Sequence, residues 1–322
     1  MRRLRAVWLI LLKLTHTYNL YCKLRFEIDF FKKEGYVKRK KRVSNLKANS
    51  NLLIVVPSQY HSGWQAGQGN FFYEIYQSAK EKFPKMVINT FHVREQEIDW
   101  KTSLKSRLIR EKPDCVLIYA ESDPDESGEW TWSELFLSMN GQWNGELILL
   151  MFDSAYPIHR WRASRLARIN GNATIVSIDR KTRTRWKKGV KYVGPLFLPM
   201  SLESIKQLDP QIDSKIKEEN LDEIDISFIG KLYPYRKKIF DELELRGLSV
   251  AINPQQNYLE PDSYLSYLTA IRLSKFTINL STAGGVKVKQ LKSRVLETAI
   301  FGNMLITDEN RLGKQFFHEG VD

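Results

Sequence analysis

From Asn51 onward, short apolar runs alternate with segments of helical spacing, and this alternation restricts the possible folds more than any other feature of the chain. The run LLIVVPS has the continuous apolar character of a buried parallel strand, and Phe71 to Lys82 follows with aromatic and apolar residues at helical intervals. The strand-like runs MVINTFHV, DCVLIYA, ELILLMFD and NATIVSID continue the pattern. Such alternation predicts a parallel sheet with helices on both faces.

The pattern is interrupted between Thr182 and Glu223 and then restarts. KYVGPLFLPM contains two prolines, and the polar stretch SLESIKQLDPQIDSKIKEEN predicts a linker or surface segment. We therefore predict an α/β chain with two Rossmann-like domains, residues 49–199 and 200–322, behind an N-terminal extension over residues 1–48. Ligands of open parallel sheets bind at the carboxyl ends of the strands, so a cleft between the domains is the expected site.

The N-terminal extension is basic and partly hydrophobic. MRRLR precedes the apolar run AVWLILL, and KRKKR occupies Lys38 to Arg42, in a chain whose net charge is +13. The apolar run is much shorter than the roughly 20 residues that span a bilayer, and Lys13 interrupts it, which disfavours a signal peptide. An interfacial helix on an anionic membrane surface and a basic leader or helix packed on the first domain both stay open.

Cysteine usage indicates a reducing compartment. Cys22 and Cys115 are the two cysteines, and their separation fits neither a disulfide framework nor a zinc site. We therefore expect a cytoplasmic protein, peripheral on the inner face of a membrane if the extension binds lipid.

The segment KSRVLETAIFGNMLITD predicts a short helix, a glycine cap and a strand. Arg294 and Glu297 lie three residues apart on one helical face, where a cation can meet a diphosphate and a carboxylate can accept ribose hydroxyls. Gly302 suits a left-handed helix end, and MLIT suits a central parallel strand. The alternative is an ordinary helix with an ion pair on its solvated face.

Two strand-end loops ahead of this segment supply further candidates for a nucleotide site. Gly230 lets the backbone approach a ligand, Lys231 and Arg236 are cations near a helix start, and Tyr233 can stack or hydrogen-bond. Hydroxyls and backbone amides that can meet phosphate follow another strand end, at Ser281, Thr282, Gly284 and Gly285. The alternatives are a solvated basic helix start and an ordinary surface loop.

Two residues are candidate bases for an acceptor. His61 opens the loop HSGWQAGQGN, whose glycines Gly63, Gly67 and Gly69 can shape a phosphate or acceptor pocket. Asp153 ends a predicted strand, where a helix N-cap is the alternative role. The loop lacks the GK[ST] ending of a Walker A motif and misses the GxGxxG spacing, which argues against an ATPase or a dehydrogenase.

Three blocks carry a family resemblance: FIGKLYPYRKKIFDELELRG, FTINLS and LKSRVLETAIFGNMLITDENRLGKQFF. In this order they resemble the group 1 glycosyltransferases of the spore-maturation (CgeB-like) type, over residues 226–322. The resemblance implies a GT-B fold and transfer of a sugar from a nucleotide-diphosphate sugar to a glycan or lipid-linked acceptor. It implies no metal and no cofactor besides the donor substrate, with Arg294 on the diphosphate and Glu297 on the ribose. Such chains usually continue with further helices, so the C-terminus looks shortened.

Two other classes of function stay open. A basic stretch with Trp161, Trp186 and several arginines, between His159 and Lys191, has the composition of a nucleic-acid patch. No helix-turn-helix, zinc-finger or RNP signature accompanies it, so nucleic acid is the less favoured partner. An inactive module that binds a nucleotide or carbohydrate without transfer is the second alternative.

Overall fold

The fold is described from a computed structural model of the chain. The structure describes residues 50–61, 71–96, 99–125, 127, 131–139, 141–152, 156–178, 191–194, 196, 199–260, 263–282 and 289–308. Several sequence expectations therefore lie outside the described residues, namely those on the N-terminal extension, Gly63, Gly67, Gly69, Asp153, Trp186, Gly284 and Gly285.

Contacts divide the chain into two compact units, and each unit is discontinuous in sequence. The first unit takes Met1–Gln59, Lys85–Ser177 and Lys181–Gly194, and the second takes Tyr60–Pro84, Ile178–Arg180 and Pro195–Asp322. Helix α1 (Phe71–Lys82) is thus part of the second unit. The sequence pattern gave no sign of this, because helix α1 directly follows the first strand of the first unit.

The first unit is built on a sheet of six parallel strands, as the alternation predicted. The strands are β1 (Asn51–Val56), β2 (Val87–His92), β3 (Cys115–Tyr119), β4 (Glu146–Met151), β5 (Ala173–Ser177) and β6 (Lys191–Val193). They lie in the order β2-β1-β3-β4-β5-β6. The side chains of β1, β3 and β4 are largely buried, which explains their apolar runs in the sequence, whereas the edge strand β2 is buried only at Phe91 and His92.

Three described α-helices belong to this unit, α2 (Trp100–Glu111), α3 (Trp132–Ser138) and α4 (Pro157–Asn170), together with a short 3-10 helix over Val93–Glu95. Asp99 caps α2 by accepting a hydrogen bond from the backbone N–H of Thr102. The rings of Trp100 and Trp132 meet edge to face at 5.3 Å in the core. The indole N–H of Trp132 donates to the carbonyl of Tyr119, so this buried polar group is satisfied.

The second unit is built on four parallel strands: β7 (Ile224–Phe228), β8 (Ala251–Ile252), β9 (Ser274–Asn279) and β10 (Met304–Thr307). They lie in the order β10-β9-β7-β8. The expectation that MLIT forms a central strand is wrong for the described part of the chain, where β10 is an edge strand. Met304 is 61% exposed and Ile306 44% exposed, because no described strand covers the outer side of β10.

The helices of the second unit that follow α1 are α5 (Leu202–Glu218), α6 (Pro234–Leu245), α7 (Tyr264–Leu273) and α8 (Ser293–Ile300). The polar stretch over residues 201–220, for which a linker or surface segment was expected, forms helix α5 of the second unit. The segment is polar overall, but Leu208 and Ile212 lie four residues apart and are buried on one face. Gly302 has a φ of +68°, so the predicted left-handed end of α8 is confirmed.

The two faces of the second sheet differ in polarity. Phe228 and Ile278 pack with Phe240 of α6 in an apolar cluster. The alternate residues Ser227, Thr277 and Asn279 are also buried, and they point to the opposite face. No described helix is both long enough and apolar enough to span a membrane.

Candidate functional site

The carboxyl ends of three parallel strands bring the predicted donor residues of the second unit to one edge of its sheet. Gly230 follows β7, Ser281 follows β9 and Asp308 follows β10. The backbone N–H of Ser281 donates to Oδ1 of Asp308 at 2.7 Å, and Lys289 forms an ion pair with the same carboxylate. This edge is where an open parallel sheet binds its ligands.

Gly230 has a φ of +145° and lies against an arginine. A Cβ at this position would lie 3.2 Å from Nη2 of Arg294 and 3.6 Å from the ring of Phe228. The N–H of Gly230 donates to Oδ1 of Asn253 at 2.7 Å. The absence of a side chain at Gly230 therefore leaves room for the Arg294 guanidinium, and the Gly230 amide makes its hydrogen bond within the protein.

Arg236 is 6% exposed, so the alternative of a solvated basic helix start does not describe it. Its guanidinium makes four hydrogen bonds within the protein, to the hydroxyl of Tyr235 and to the carbonyls of Lys231, Leu280 and Thr282. These bonds tie the loop after β7 to the loop after β9. Arg236 therefore holds both loops in place, and its assignment as a donor ligand stays a prediction.

Lys231 and Tyr233 lie on the loop between β7 and α6. Lys231 is exposed, with its ammonium 5.6 Å from the centroid of the Tyr233 ring. The rings of Tyr233 and Tyr235 stack with centroids 6.3 Å apart, and the Tyr235 hydroxyl donates to the carbonyl of Thr282. Lys231 is thus a cation at the surface of the loop that Arg236 stabilises.

Ser281 and Thr282 follow β9 in the same edge. Ser281 is fully buried, and its hydroxyl has no hydrogen-bond partner. Thr282 pairs with Lys289 in an isolated antiparallel bridge, and the carbonyl of Thr282 accepts from Arg236. Backbone contacts therefore order this loop, while the Ser281 hydroxyl keeps its hydrogen-bonding capacity.

Arg294 is the second residue of α8. Its guanidinium carbon lies 5.4 Å from the centroid of the Phe228 ring, and its Nε is buried with no hydrogen-bond partner. Arg236 and Arg294 thus differ in a way that their positions in the sequence do not reveal. Arg236 uses its donors within the protein, whereas Arg294 makes a side-chain hydrogen bond with Tyr267 and retains its Nε–H for another group.

Glu297 lies one turn further along α8 and is 3% exposed, so the alternative of a solvated ion pair does not hold for it. The hydroxyl of Tyr264 donates to its Oε1 at 3.2 Å, and the hydroxyl of Tyr267 donates to its Oε2. Burial raises the pKa of Glu297, while the Tyr267 hydroxyl and the charge of Arg294 oppose this effect. The pKa values of both tyrosines are raised, chiefly by burial and also by the charge of Glu297.

Glu297 lines a cavity of about 200 Å³ within the second unit. Aromatic and apolar side chains form most of its wall, with two carboxylates and one serine among them. The lining residues are Phe71, Glu74, Pro199, Met200, Tyr264, Tyr267, Ser293 and Glu297. Glu74, Tyr264 and Tyr267 were not among the predicted site residues. The available signal was a glutamate among the aromatic residues of α1, since a glutamate is rarely buried unless it is paired.

Glu74 is 4% exposed and holds the start of α5. Its Oε2 accepts a hydrogen bond from the backbone N–H of Ser201 at 2.7 Å, whereas its Oε1 has no hydrogen-bond partner. Glu81, two turns further along α1, accepts from the Ser201 hydroxyl at 2.5 Å. Burial raises the pKa of Glu74, and the Ser201 hydroxyl lowers the pKa of Glu81. Carboxylates are stabilising at a helix N-terminus, so these two contacts favour the position of α1 at the start of α5.

The two candidate bases stay predictions. His61 is buried in the second unit, beside Tyr60, whose ring packs 5.2 Å from that of Phe72. Asp153 lies outside the described residues. The described geometry therefore supports a binding edge and a cavity, without assigning a base.

Comparisons with known proteins give distant likenesses of structure. No protein-family model and no curated protein matches the chain. A solved α1,3-fucosyltransferase is similar with a TM-score of 0.40 and 12% identity, over 85% of this chain and 73% of that one. A dTDP-4-dehydrorhamnose reductase from Yersinia enterocolitica is similar with a TM-score of 0.32 and 11% identity, over 83% and 86%. A GDP-D-glycero-L-gluco-heptose synthase from Campylobacter jejuni follows at 0.29 and 9%, over 87% and 96%. These likenesses are too distant to assign an activity.

Proposed function

We propose that the chain is a GT-B glycosyltransferase that moves a sugar from a nucleotide-diphosphate sugar to a glycan or lipid-linked acceptor. The observation that carries this proposal is on α8. Arg294 has an Nε without a partner, and Glu297 is a buried carboxylate on the wall of a cavity. A cation and a carboxylate at the carboxyl edge of a parallel sheet match the two polar parts of a nucleoside diphosphate.

The diphosphate would be held by Arg294 and Lys231, near the start of α8. The bond between the anomeric carbon and the diphosphate oxygen breaks during transfer, and the leaving diphosphate takes the electron pair. Positive side chains fixed before the reaction stabilise the charge that develops there. Gly230 supports this arrangement because it leaves room for the Arg294 guanidinium.

The ribose would be held by Glu297. The Tyr264 and Tyr267 hydroxyls each donate one hydrogen bond to this carboxylate, and further lone pairs remain for ribose hydroxyls. The two tyrosines fix the carboxylate before the ligand arrives, which lowers the entropic cost of binding. The acceptor oxygen would form the new bond to the anomeric carbon and lose its proton to a base, for which His61 and Asp153 are our candidates.

Thermal shift with UDP, GDP, ADP and CDP tests the donor site. We expect at least one of them to raise the melting temperature of the full chain, and Glu297→Gln to reduce that shift. Glu242→Gln, on the exposed face of α6, is the matched control and should keep the full shift. Absence of a shift with every nucleotide would overturn the proposal. A shift without sugar transfer to any acceptor would instead support an inactive binding module.

We further propose that the N-terminal extension holds the protein on the inner face of an anionic membrane. The sequence supports this through MRRLRAVWLILL and the basic run from Lys38 to Arg42. Co-sedimentation with vesicles tests it, using phosphatidylglycerol against phosphatidylcholine. We expect binding to the anionic vesicles that falls when the five basic residues are replaced by alanine. Equal sedimentation with both lipids would count against an electrostatic anchor.

A further inference from the structure

We propose that the cavity beside Glu297 takes the base of the donor nucleotide and that Glu74 makes it selective for guanine. The inference rests on the proposed function, since it concerns the nucleotide of the same donor. It adds a residue from α1, far from the blocks that carry the family resemblance.

The size and the walls of the cavity fit one ring system. Its volume of about 200 Å³ is below the range of roughly 300–1,000 Å³ found for whole ligands, so it suits one part of a nucleotide. The rings of Tyr264 and Tyr267 lie 5.7 Å apart and within 22° of parallel, and Phe71, Pro199 and Met200 add apolar wall. Planar heteroaromatic groups bind against such surfaces by stacking.

Glu74 is the polar group of the cavity that the protein leaves incompletely satisfied. Its Oε2 accepts from the Ser201 amide, and its Oε1 has no hydrogen-bond partner although the side chain is 4% exposed. The Ser204 hydroxyl is the neighbouring side chain that favours the charged form of this carboxylate. A buried carboxylate oxygen without a donor is costly, so such a group in a cavity indicates a ligand that donates to it. Each carboxylate oxygen has two lone pairs, so Oε2 can also accept a second hydrogen bond.

The donor pattern of the bases then selects among nucleotides. An ionised carboxylate only accepts hydrogen bonds, and it binds best to two neighbouring N–H groups. Guanine presents N1–H beside its exocyclic amino group. Uracil presents one N–H between two carbonyl oxygens, and adenine and cytosine present an amino group beside a ring nitrogen that accepts. Guanine is thus the base that offers a carboxylate two adjacent donors.

Calorimetric titration of the full chain with GDP, IDP, UDP and ADP tests this assignment. IDP differs from GDP only by lacking the exocyclic amino group, so it measures that contact. We expect GDP to bind most tightly and IDP about tenfold more weakly, as for the loss of one buried hydrogen bond to a charged group.

Glu74→Gln supplies the matching variant. It keeps the shape of the side chain and its ability to accept from Ser201, but it replaces one acceptor oxygen by a donor. We expect GDP and IDP to bind this variant about equally, while Glu242→Gln keeps the wild-type ratio. A melting curve shows whether the variant folds, and Glu74→Asp gives a second carboxylate that should retain a preference for GDP.

The outcomes separate this inference from the proposed function. Tightest binding of UDP or ADP by the wild type would overturn the guanine assignment and leave the transferase proposal standing. An unchanged ratio of GDP to IDP affinity in Glu74→Gln would remove Glu74 from the base site. Failure of all four nucleotides to bind would overturn both proposals.

Discussion

The hydroxyl of Tyr264 donates a hydrogen bond to Oε1 of Glu297 at 3.2 Å, which joins α7 to α8 through two buried side chains. A second tyrosine of α7 donates to the other oxygen of the same carboxylate. Two of the side chains that orient Glu297 therefore come from a helix other than its own, and the Ser293 hydroxyl of α8 is a further partner. Substitution of the tyrosines therefore tests the role of these hydrogen bonds without a change to Glu297 itself.

Removal of one tyrosine hydroxyl should weaken both folding and nucleotide binding. Tyr267→Phe leaves one oxygen of Glu297 without its donor and removes the hydrogen bond between Tyr267 and Arg294, and we expect a loss of about 1–3 kcal/mol in the free energy of unfolding. Chemical denaturation measures this loss. Tyr235→Phe removes a hydroxyl that bonds only to a backbone carbonyl and Arg236, so it should leave ribose binding unchanged. Equal nucleotide affinity of wild type and Tyr267→Phe would contradict the proposed positioning role.

Arg236 and Arg294 should respond in opposite ways to substitution. Arg236→Lys loses most of its four hydrogen bonds, and we expect it to lower the free energy of unfolding by about 2–3 kcal/mol. Arg294→Lys should change stability little but weaken nucleoside diphosphate binding about tenfold or more. Arg246→Lys, an exposed substitution, is the control. Parallel denaturation and titration distinguish the two roles, and a stable Arg236→Lys would show that its contacts are dispensable.

Substitution of Gly230 should displace the Arg294 guanidinium. An alanine Cβ would lie 3.2 Å from Nη2, and a φ of +145° is unfavourable for any residue with a side chain. We expect Gly230→Ala to cost about 1–3 kcal/mol of stability and to weaken binding of the diphosphate more than that of the nucleoside. Gly247→Ala has positive φ as well, at +79°, but meets no atom within 4 Å, so it reports backbone strain alone. If both variants lose diphosphate affinity equally, the space at Gly230 has no special role.

The stability of the protein should fall with rising pH through the titration of Glu297. Burial raises its pKa above the ordinary value of 4.5, so the folded state binds more protons than the unfolded state from about that pH upward. The contribution is favourable at lower pH and is lost as pH rises through the folded-state pKa, by about 1.4 kcal/mol for each unit of the shift. Glu297→Gln should flatten this decline above pH 4.5 in denaturant titrations. An identical slope in both proteins would show that Glu297 titrates normally.

Much of the fold followed from periodicity. The parallel sheets, the helix that carries Arg294 and Glu297, and the cap at Gly302 could be predicted because each depends on residues close together in sequence. Helix α5 could not, because its polar composition outweighed the spacing of two buried apolar residues. The edge position of β10 was also hidden, since an apolar run looks the same at the centre and at the edge of a sheet.

The candidate site was predictable only in part for a related reason. The strand-end loops could be located, but the different contacts of Arg236 and Arg294 depend on carbonyls about 45 residues away along the chain. Glu74 was missed because its partner Ser201 lies 127 residues further on. Sequence patterns identify the chemical type of a side chain, and tertiary contacts decide whether its donors and acceptors are already in use.

The contact between Glu74 and Ser201 joins residues that are synthesised at different times. A ribosome adds about 5–20 residues per second. Glu74 on α1 is therefore synthesised roughly 6–25 seconds before Ser201 at the start of α5. During this interval the acidic side chains of α1 have no helix N-terminus to bind. Phe72, which is buried in the folded protein, also lacks the C-terminal part of the second unit. The second unit therefore assembles after the ribosome has completed most of the chain, because α1 packs on segments that are synthesised much later.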